Sequence, residues 1–319
     1  MLSSIDPSGQ QFLNSMDNIQ STLDTAELEL SSGLKVNQPS DAPDSLSPIL
    51  QLHASIQQNQ DIQTQLGTAQ ADVNAGATAL SNGVSILQQA SVLATEALGV
   101  NATPDTRASM AGSVQSMLQE MVSASATTVE GRYIFSGDQD QAPLYQMDLN
   151  APDGSGVDRL ATSASTTLVQ GPDGSRYSVS LSANDIFDAR NNDATPANPN
   201  GTPAANNVFA ALNGLRVALA NNDTAGIQNS VTSLQNASTY MNDELEFYGQ
   251  GQSRVSSDLT QAQDQSTQLQ TNLSKLQDAD TTQAITELTQ AQTQMQAALD
   301  ARARMPTTTL FDVLPASST

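Results

Sequence analysis

The chain of 319 residues carries 33 acidic and 11 basic side chains and a net charge of −22, so it cannot neutralise phosphates, and nucleic-acid binding is excluded. It contains no cysteine, which excludes disulfides, thiolate zinc sites and cysteine nucleophiles. Only 3% of its residues are aromatic, a composition typical of long helices that bury narrow stripes rather than of one thick core.

A helix with a heptad seam is the first predicted element. Its apolar side chains recur at alternating steps of four and three residues, a spacing that requires a partner helix. Glycine tolerates the positive φ of a helix C terminus, so Ser31-Ser32-Gly33 is predicted to end the helix. The predicted N-terminal seam comprises Phe12, Met16, Ile19, Leu23, Ala26 and Leu30.

A loop rich in proline and acidic residues follows and interrupts the helical pattern. Proline cannot continue a helix, so we interpret the loop as an ordered hinge. Asp41 and Asp44 have two interpretations: they cap the next helix, which we favour, or they meet a basic residue such as Arg254 of a neighbouring copy. The predicted hinge residues are Ser32, Gly33, Asn37, Pro39, Asp41 and Pro43.

Helical periodicity returns from about residue 46 to about residue 98 and predicts a second, longer helix. Its apolar positions, among them Ile49, Leu52 and Ile56, recur less regularly than those of the first helix. A third helix is predicted from Thr103 to about residue 129, with Thr103 as its N-cap and Pro104 at its first position.

Short β-prone runs separated by turn residues occupy about residues 132–205. Pro172-Asp173-Gly174 lies between two alternating runs, which indicates a β-hairpin. Residues 191–207 have the composition of a loop. The sequence therefore predicts a small β-rich insert in the middle of the chain.

Helix is predicted again from about Asn207, and a long C-terminal helix then repeats the steps of four and three. Asp278-Ala279-Asp280 interrupts the pattern, and Asp280 with Gln283 resembles a capping box for a last helix. The predicted C-terminal seam and its interrupting acids are Leu269, Leu273, Leu276, Asp278, Asp280, Ile285, Leu288, Met295 and Leu299.

These patterns predict a mainly α protein in which the N- and C-terminal segments form a long antiparallel coiled-coil rod, with the β-rich insert domain in mid-chain. The seams have two interpretations: they pair within one chain, or part of each faces neighbouring subunits. The predicted divisions are 1–45 (assembly helix and hinge loop), 46–131 (N-terminal rod helices), 132–205 (insert), 206–278 (C-terminal rod helices) and 279–319 (C-terminal assembly helix and tail).

None of the patterns that carry catalytic or metal chemistry is complete. His53 is the only histidine, so neither a histidine-rich metal site nor a Ser-His-Asp triad is supported. Asp138 and Asp140 resemble the start of a calcium loop, but the glycine and glutamate that such a loop needs are missing. GQGQSR, at residues 249–254, lacks the third glycine of a dinucleotide fingerprint. We predict that the protein is not an enzyme and holds no cofactor or metal.

Two stretches near opposite ends of the chain resemble signatures of the bacterial flagellin superfamily. LELSSGLKVNQPSDAP, residues 28–43, resembles its N-terminal signature of Leu-Ser-Ser-Gly, a basic residue, an asparagine and an acidic loop. NLSKLQDAD, residues 272–280, resembles its C-terminal Ser-x-Ile/Leu-x-Asp-Ala-Asp element. The resemblance covers about residues 5–135 and 245–314 and leaves the insert unconstrained.

Within the superfamily, three details resemble hook–filament junction proteins more than filament flagellins. The loop SDAPDSLSP is close to the junction-type Ser-Asp-Asp-Pro version. Near the C terminus the chain carries TLFDVL, residues 309–314, rather than the leucine-rich run common in filament subunits. GRYIFSG resembles a junction-type Gly-x-Tyr-x-Phe-x-Gly motif, carried here by Gly131, Tyr133, Phe135 and Gly137.

The resemblance implies a structural component of the flagellum that adapts hook to filament and assembles through its terminal helices, which order in the assembly. The implied partners are copies of itself, the hook-side junction protein, filament flagellin, and an export chaperone bound to the C-terminal region. The alternatives are a short filament flagellin and, in another class, an unrelated secreted coiled-coil binding module.

The expected location also depends on the resemblance. MLSSIDPSGQQFLNSM lacks a basic and apolar leader, and no apolar run is long enough to span a bilayer, so composition alone predicts a cytoplasmic protein without membrane insertion. Superfamily members leave the cell unfolded through the flagellar export channel without a cleaved signal. We therefore expect an extracellular protein of the hook–filament junction.

Overall fold

The computed structural model describes residues 7–162, 168–195 and 200–304 and is mainly helical, as the sequence predicts. The TLFDVL run lies outside the described residues. In chain order the elements are α1 (Pro7–Ser32), α2 (Pro43–Ala97), α3 (Pro104–Ser125), β1 (Thr128–Val129), β2 (Arg132–Tyr133), β3 (Tyr145–Met147), β4 (Val157–Arg159), β5 (Leu168–Gln170), β6 (Arg176–Ser178), α4 (Ala183–Ile186), α5 (Val208–Ala220), α6 (Thr224–Gln277) and α7 (Thr281–Ala303).

The chain divides into two compact units. The terminal unit is built from the residues up to Gln58 and from Ser266 onward, and the central unit is Asn59–Gln265. The two long helices α2 and α6 contribute residues to both units. The five divisions proposed from the sequence stay a prediction.

In the terminal unit α1 and α7 run antiparallel and pack against each other. Phe12, near the start of α1, lies 5.6 Å from the guanidinium of Arg302, near the end of α7. At the opposite end, the amide of Ala279 just before α7 donates to the carbonyl of Gly33 just after α1, at 2.9 Å. The antiparallel pairing predicted for the terminal helices is therefore confirmed.

In the central unit α2 and α6 also run antiparallel. Near the start of the pair, the amide of Asn59 donates to Gln265 at 3.4 Å, and further along α2 Gln252 donates to Asn74 at 2.8 Å. Two glycines of α2 lie opposite large side chains of α6, so the helices approach closely there: Gly76 against Tyr248 and Gly83 against Met241. A methyl group on Gly76 would lie 2.3 Å from the tyrosine ring, which explains why glycine is needed.

Helices α3 and α5 complete the helical part of the central unit and pack against each other. The N-cap predicted at Thr103 is confirmed, because its hydroxyl accepts a hydrogen bond from the amide of Thr106 at 3.2 Å, with Pro104 in the first turn. The buried side chains are mostly leucine, valine, alanine and methionine, including Leu118, Met121 and Leu212.

The predicted insert consists of three small antiparallel strand pairs and short helical turns. The hairpin at Pro172-Asp173-Gly174 is confirmed: β5 pairs with β6, and Gly174 adopts a φ of +82° in the connecting turn. The other pairs are β1 with β2 and β3 with β4. The first of these pairs begins at Thr128, before the boundary predicted at residue 132.

A buried ion-pair network fastens the insert to the start of α5. The carboxylate of Asp188 is fully buried and accepts hydrogen bonds at 2.9 Å from both Arg159 and Arg190. It also accepts a hydrogen bond from the Asn207 side-chain amide at 2.7 Å, while the Asn207 oxygen caps α5. Arg190 reaches Asp153 as well, so five side chains from four separate segments share one network.

One helix boundary differs from that expected, and another was not predicted. α2 begins at Pro43 rather than near residue 46, because proline is accepted at the first helical position, where no amide hydrogen bond is lost. Pro48 lies inside the same helix. The sequence analysis gave no boundary between the helix from about Asn207 and the long C-terminal helix; in the structure α5 and α6 are separated at residues 221–223, where Asn222 has a positive φ of 52°, and α6 is continuous over 54 residues.

Candidate assembly site

The hinge loop joins the end of α1 to the break between α6 and α7. Gly33 ends α1 with a φ of +73°, and its amide donates to the carbonyl of Glu29 at 2.9 Å. The next residues bond to the break between α6 and α7: the amide of Lys35 donates to the carbonyl of Gln277 at 2.7 Å, and Leu34 forms an isolated antiparallel bridge with Asp278. The two signature stretches therefore contact each other directly.

Side chains of the loop hold its shape from within. The hydroxyl of Ser32 donates to the carbonyl of Leu28 at 2.7 Å and accepts from the amide of Leu34 at 3.1 Å. The side-chain amide of Asn37 donates to the carbonyl of Leu34 at 2.7 Å. Pro39 lies at the exposed turn. These bonds account for a loop that is ordered without being helical.

The structure corrects the favoured interpretation of Asp41. Its carboxylate accepts hydrogen bonds from the backbone amides of Asn37 and Gln38, at 2.9 and 2.7 Å, so it closes the loop and does not cap α2. The backbone amides of Asn37 and Gln38 have no backbone acceptor among the described hydrogen bonds, and the Asp41 carboxylate satisfies both of them. Asp44 does lie in the first turn of α2, where a negative charge is favourable.

Both acids of the break before α7 have structural partners. The hydroxyl of Ser274 donates to the carboxylate of Asp278. Asp280 is the N-cap of α7, because its side chain accepts from the amides of Thr282 and Gln283 at 2.9 and 3.2 Å. Only half of the predicted capping box forms, since the side chain of Gln283 donates to Glu287 at 2.7 Å instead of reaching back.

The packing of α1 against α7 includes two buried alanines of α7 that the sequence analysis did not identify. Four large side chains of the N-terminal seam are half-buried on the face toward α7, whereas Leu30 remains 40% exposed; the four are Phe12, Met16, Ile19 and Leu23. On α7, Ala284 and Ala291 are almost completely buried. The steps of four and three also run through these alanines, but their small side chains gave them little weight beside leucine and isoleucine.

The residues predicted for the C-terminal seam and its break occupy three kinds of position. Ile285 and Leu299 lie on the outer side of α7 and remain 52% and 51% exposed. Asp278 and Asp280 bracket the break described above. The half-buried members are Leu269, Leu273, Leu276, Leu288 and Met295.

An acidic groove of about 400 Å³ lies between α1 and the hinge loop. Asp17, Asp24 and Glu29 line it from the helix, Asp41 lines it from the loop, and Lys35 is its one basic residue. Over the described residues, no three acidic or histidine side chains are grouped closely enough to hold a metal ion. His53 is exposed on α2.

The junction-type motif is built into the central unit. Gly131 follows Glu130 in the tight turn between β1 and β2, and both have positive φ, of 79° and 52°. Tyr133 pairs with Thr128 across this hairpin. Phe135 is fully buried, with its ring edge-on to Phe187 at 5.5 Å between centroids.

Two further residues of the stretch 131–137, Arg132 and Gly137, fix its backbone and its position. Gly137 begins a short 3₁₀ turn with a φ of +56°. Arg132 forms an ion pair with Asp72 of α2 at 3.3 Å. Burial raises the pKa of Asp72 above its ordinary value, although the Arg132 guanidinium opposes that shift. The motif thus fixes the start of the insert to α2.

Groups with shifted pKa values belong to structural contacts. Burial raises the pKa of Tyr177, whose hydroxyl donates to Asp258 of α6 and whose ring lies 3.6 Å from the guanidinium of Arg254. Arg254, the base considered as a partner for the hinge acids, therefore holds the β5–β6 hairpin within its own chain. Burial would raise the pKa of Asp153, but hydrogen bonds from Ser155 and Arg190 hold it below its ordinary value.

Among the helices in the described part of the chain, none is both long enough and apolar enough to cross a bilayer.

Family models match both ends of the chain. The model of the bacterial flagellin N-terminal helical region matches residues 8–140, and that of the C-terminal helical region matches residues 224–314. Together the two regions cover well over half of the chain. Among curated protein sequences no match was found.

Solved structures with the same fold include three proteins of low sequence identity. A flagellar hook-associated protein from Vibrio parahaemolyticus is 13% identical, with a TM-score of 0.61 over 75% of this chain and 100% of its own. FlgL from Bacillus cereus is 13% identical, with a TM-score of 0.54 over 70% and 98% of the two chains. FlgL from Xanthomonas campestris is 16% identical, with a TM-score of 0.51 over 73% and 99%.

Proposed function

The chain belongs to the bacterial flagellin family, and from that premise we propose that it is a structural adaptor at the hook–filament junction of the flagellum. The protein is exported unfolded without a cleaved signal and assembles outside the cell with copies of itself. Its other partners in this proposal are the hook-side junction protein, filament flagellin and a cytoplasmic chaperone that binds the C-terminal region. Family membership removes the support for an unrelated coiled-coil binding module.

The observation that carries the junction role is the motif at Gly131–Gly137. Its phenylalanine is a fully buried anchor of the insert, and its two outer glycines occupy positive-φ positions that other residues adopt rarely. Three of the four residues that give the motif its junction-type pattern therefore have structural roles in this fold. Solved proteins described as hook-associated proteins and FlgL share the fold over almost their whole length, which supports the same role.

The terminal unit supports the assembly part of the proposal. Its hinge loop ties the end of α1 to the break before α7, so the two terminal helices are presented as one antiparallel pair. Large apolar side chains remain exposed on that pair, including Leu13 at 56%. An apolar surface left open in one chain is available for burial between chains.

Copy number separates a junction adaptor from a filament subunit. We expect quantitative mass spectrometry of isolated flagella to find this chain at far lower copy number than the main flagellin. A copy number in the thousands per flagellum would instead identify a short filament flagellin.

A further inference from the structure

A small cavity lies in the central unit, between the stretch 131–137, the residues after β6 and the helices α2 and α6. It is largely enclosed, and the space open to the centre of a water molecule measures about 20 Å³. On this measure roughly 10–15 Å³ is enough to hold one water molecule. Four of the lining residues carry polar side chains that matter here: Asp72, Arg132, Ser180 and Tyr248.

The hydroxyl of Tyr248 accepts a hydrogen bond in the structure but does not donate one. Tyr248 is 1% exposed, and its oxygen accepts from the amide of Leu181 at 3.2 Å. Among the hydrogen bonds of the described residues, none is donated by this hydroxyl. A buried tyrosine hydroxyl usually finds an acceptor, because an unsatisfied buried donor costs free energy. Its proton is therefore available to a molecule in the cavity.

Ser180 brings a second hydroxyl to the same place. The residue is only 8% exposed, and its side-chain oxygen takes part in no hydrogen bond of the described residues. In the described part of the chain, every buried side-chain nitrogen or oxygen that is shielded from water does have a partner. The Ser180 hydroxyl must therefore face a space that water can reach, and the cavity is a space that this residue lines.

Asp72 supplies the acceptor side of the cavity. Its side chain is 13% exposed, and its carboxylate receives only long hydrogen bonds from Arg132, at 3.3 and 3.5 Å. An ionised carboxylate can accept about four hydrogen bonds, so Asp72 can accept more. Burial raises the pKa of the Tyr248 hydroxyl, and the negative charges of Glu244 and Asp72 add to that shift. Asp72 and Tyr248 therefore act on each other although no direct hydrogen bond joins them.

We propose that this cavity binds one ordered water molecule that bridges Tyr248, Ser180 and Asp72. The water accepts the proton of the Tyr248 hydroxyl, forms a hydrogen bond with the Ser180 hydroxyl and donates to the Asp72 carboxylate. Three polar partners are typical of a buried water. A neutral ligand suits the site, because Arg132 already balances the charge of Asp72. The water thus helps to hold the insert against the two long helices.

A crystal structure of the full-length chain, at a resolution that shows ordered waters, tests the site directly. We expect one electron-density peak in the cavity, within hydrogen-bond distance of Tyr248 Oη, Ser180 Oγ and a carboxylate oxygen of Asp72. A well-defined cavity without such a peak would overturn the inference. So would a peak with the short coordination distances of a metal ion.

The variant Ser180→Ala tests the site in solution. It removes one partner of the water and breaks no other side-chain hydrogen bond of the described residues. We expect the unfolding equilibrium constant, measured by urea unfolding with circular dichroism, to rise about fivefold, the effect of losing one hydrogen bond. The matched control is Ser257→Ala, which removes an exposed hydroxyl of α6 that also has no partner among the described residues. Alanine favours helix, so the control should not raise the constant.

A double-mutant cycle of Ser180→Ala with Tyr248→Phe separates a shared water from two independent contacts. No direct hydrogen bond joins the two hydroxyls, so without a bridging molecule their removal should have additive effects. With a shared water, losing one partner weakens the bond to the other, and we expect the combined effect on the unfolding constant to depart from additivity at least twofold. Additive effects, or a Ser180→Ala chain as stable as the wild type, would contradict the inference. None of these measurements depends on the position of the protein on the flagellum.

Discussion

Gly33 has both an unusual backbone conformation and a hydrogen bond to the break before α7. Its φ of +73° lies in the region that side-chain-bearing residues rarely adopt, while the space around it is open to a methyl group. The cost of replacing it therefore comes from backbone conformation alone. Its carbonyl also accepts the hydrogen bond from Ala279, so a change in the backbone at this residue would disturb a contact with the break before α7.

We expect Gly33→Ala to lower the free energy of unfolding of the full chain by about 1–2 kcal/mol, because alanine is strained in the left-handed region. Gly67→Ala is the matched control: this glycine lies in the interior of α2, with open space for a methyl group, and alanine there should stabilise the chain by about 1 kcal/mol. Urea unfolding followed by circular dichroism measures both. A Gly33→Ala chain as stable as the wild type would contradict the strain argument.

Asp188 is the residue on which the insert most depends. Its buried carboxylate has two arginine partners. Asp188→Asn would leave the largely buried guanidinium of Arg159 without its counter-charge and would leave Arg190 with Asp153 alone. We expect this change to cost about 3–5 kcal/mol and to unfold the insert first. Limited proteolysis and thermal unfolding would detect the loss.

The control for Asp188 is the neighbouring exposed acid Asp158. Asp158→Asn removes the same charge from β4 but breaks no ion pair among those described, so its effect should stay within about 0.5 kcal/mol. Equal effects of the two changes would show that the buried network does not hold the insert in place.

At the scale of elements, local signals predicted the helix ends well. Thr103 with Pro104, Gly33 and Asp280 each act through hydrogen bonds or dihedral angles within a few residues, and such interactions can be read from a short stretch. Asp41 was assigned wrongly to the capping of α2. An aspartate near a helix start has several amides within reach, and only the geometry of the loop decides among them.

Longer-range features of the elements could not be predicted. The contact of Tyr177 with Asp258 joins residues 81 positions apart, and Arg159 joins Asp188 across 29 positions. No pattern in the sequence links such pairs. The burial of Ala284 and Ala291 on α7 was missed for another reason. These alanines and the exposed pair Ile285 and Leu299 are both spaced by multiples of seven residues, so periodicity alone could not decide that the alanines face inward.

The C-terminal end of α6 provides a test at this scale. We expect Leu269→Asp or Leu273→Asp to disrupt assembly much more than Leu168→Asp, because the first two leucines are half-buried in the terminal unit and Leu168 is 62% exposed on the insert. Incorporation into flagella, measured by immunoblotting of isolated filaments with their hooks, compares the three variants. Equal incorporation of all three would contradict an assembly role for the terminal unit.

At the scale of the whole molecule, the sequence predicted the helical class, the antiparallel terminal pair and the family, since all three depend on repeated or widely spaced patterns. The insert could be located but not described, because its strands are only two or three residues long. Its buried side chains are one ion-pair network, a few aromatic rings and scattered aliphatic residues such as Leu144 and Val157, with no periodic packing. Such a core leaves no repeating trace in the sequence.

Removal of residues 300–319 tests whether the terminal and central units have separate roles. The truncation leaves Asn59–Gln265 intact, so we expect the central unit to retain its fold. It removes Arg302, which contacts Phe12 of α1, and should therefore prevent incorporation and motility. Circular dichroism and swimming assays measure the two properties. A motile strain that carries only the truncated chain would contradict the assembly role.

The central claim is that this flagellin-family chain occupies the boundary between hook and filament. Immunogold labelling of isolated flagella, with antibodies against the insert, tests that claim most directly. The account predicts one band of gold particles at the distal end of the hook, with the filament beyond it unlabelled. Gold particles along the length of the filament would contradict it and identify a filament subunit.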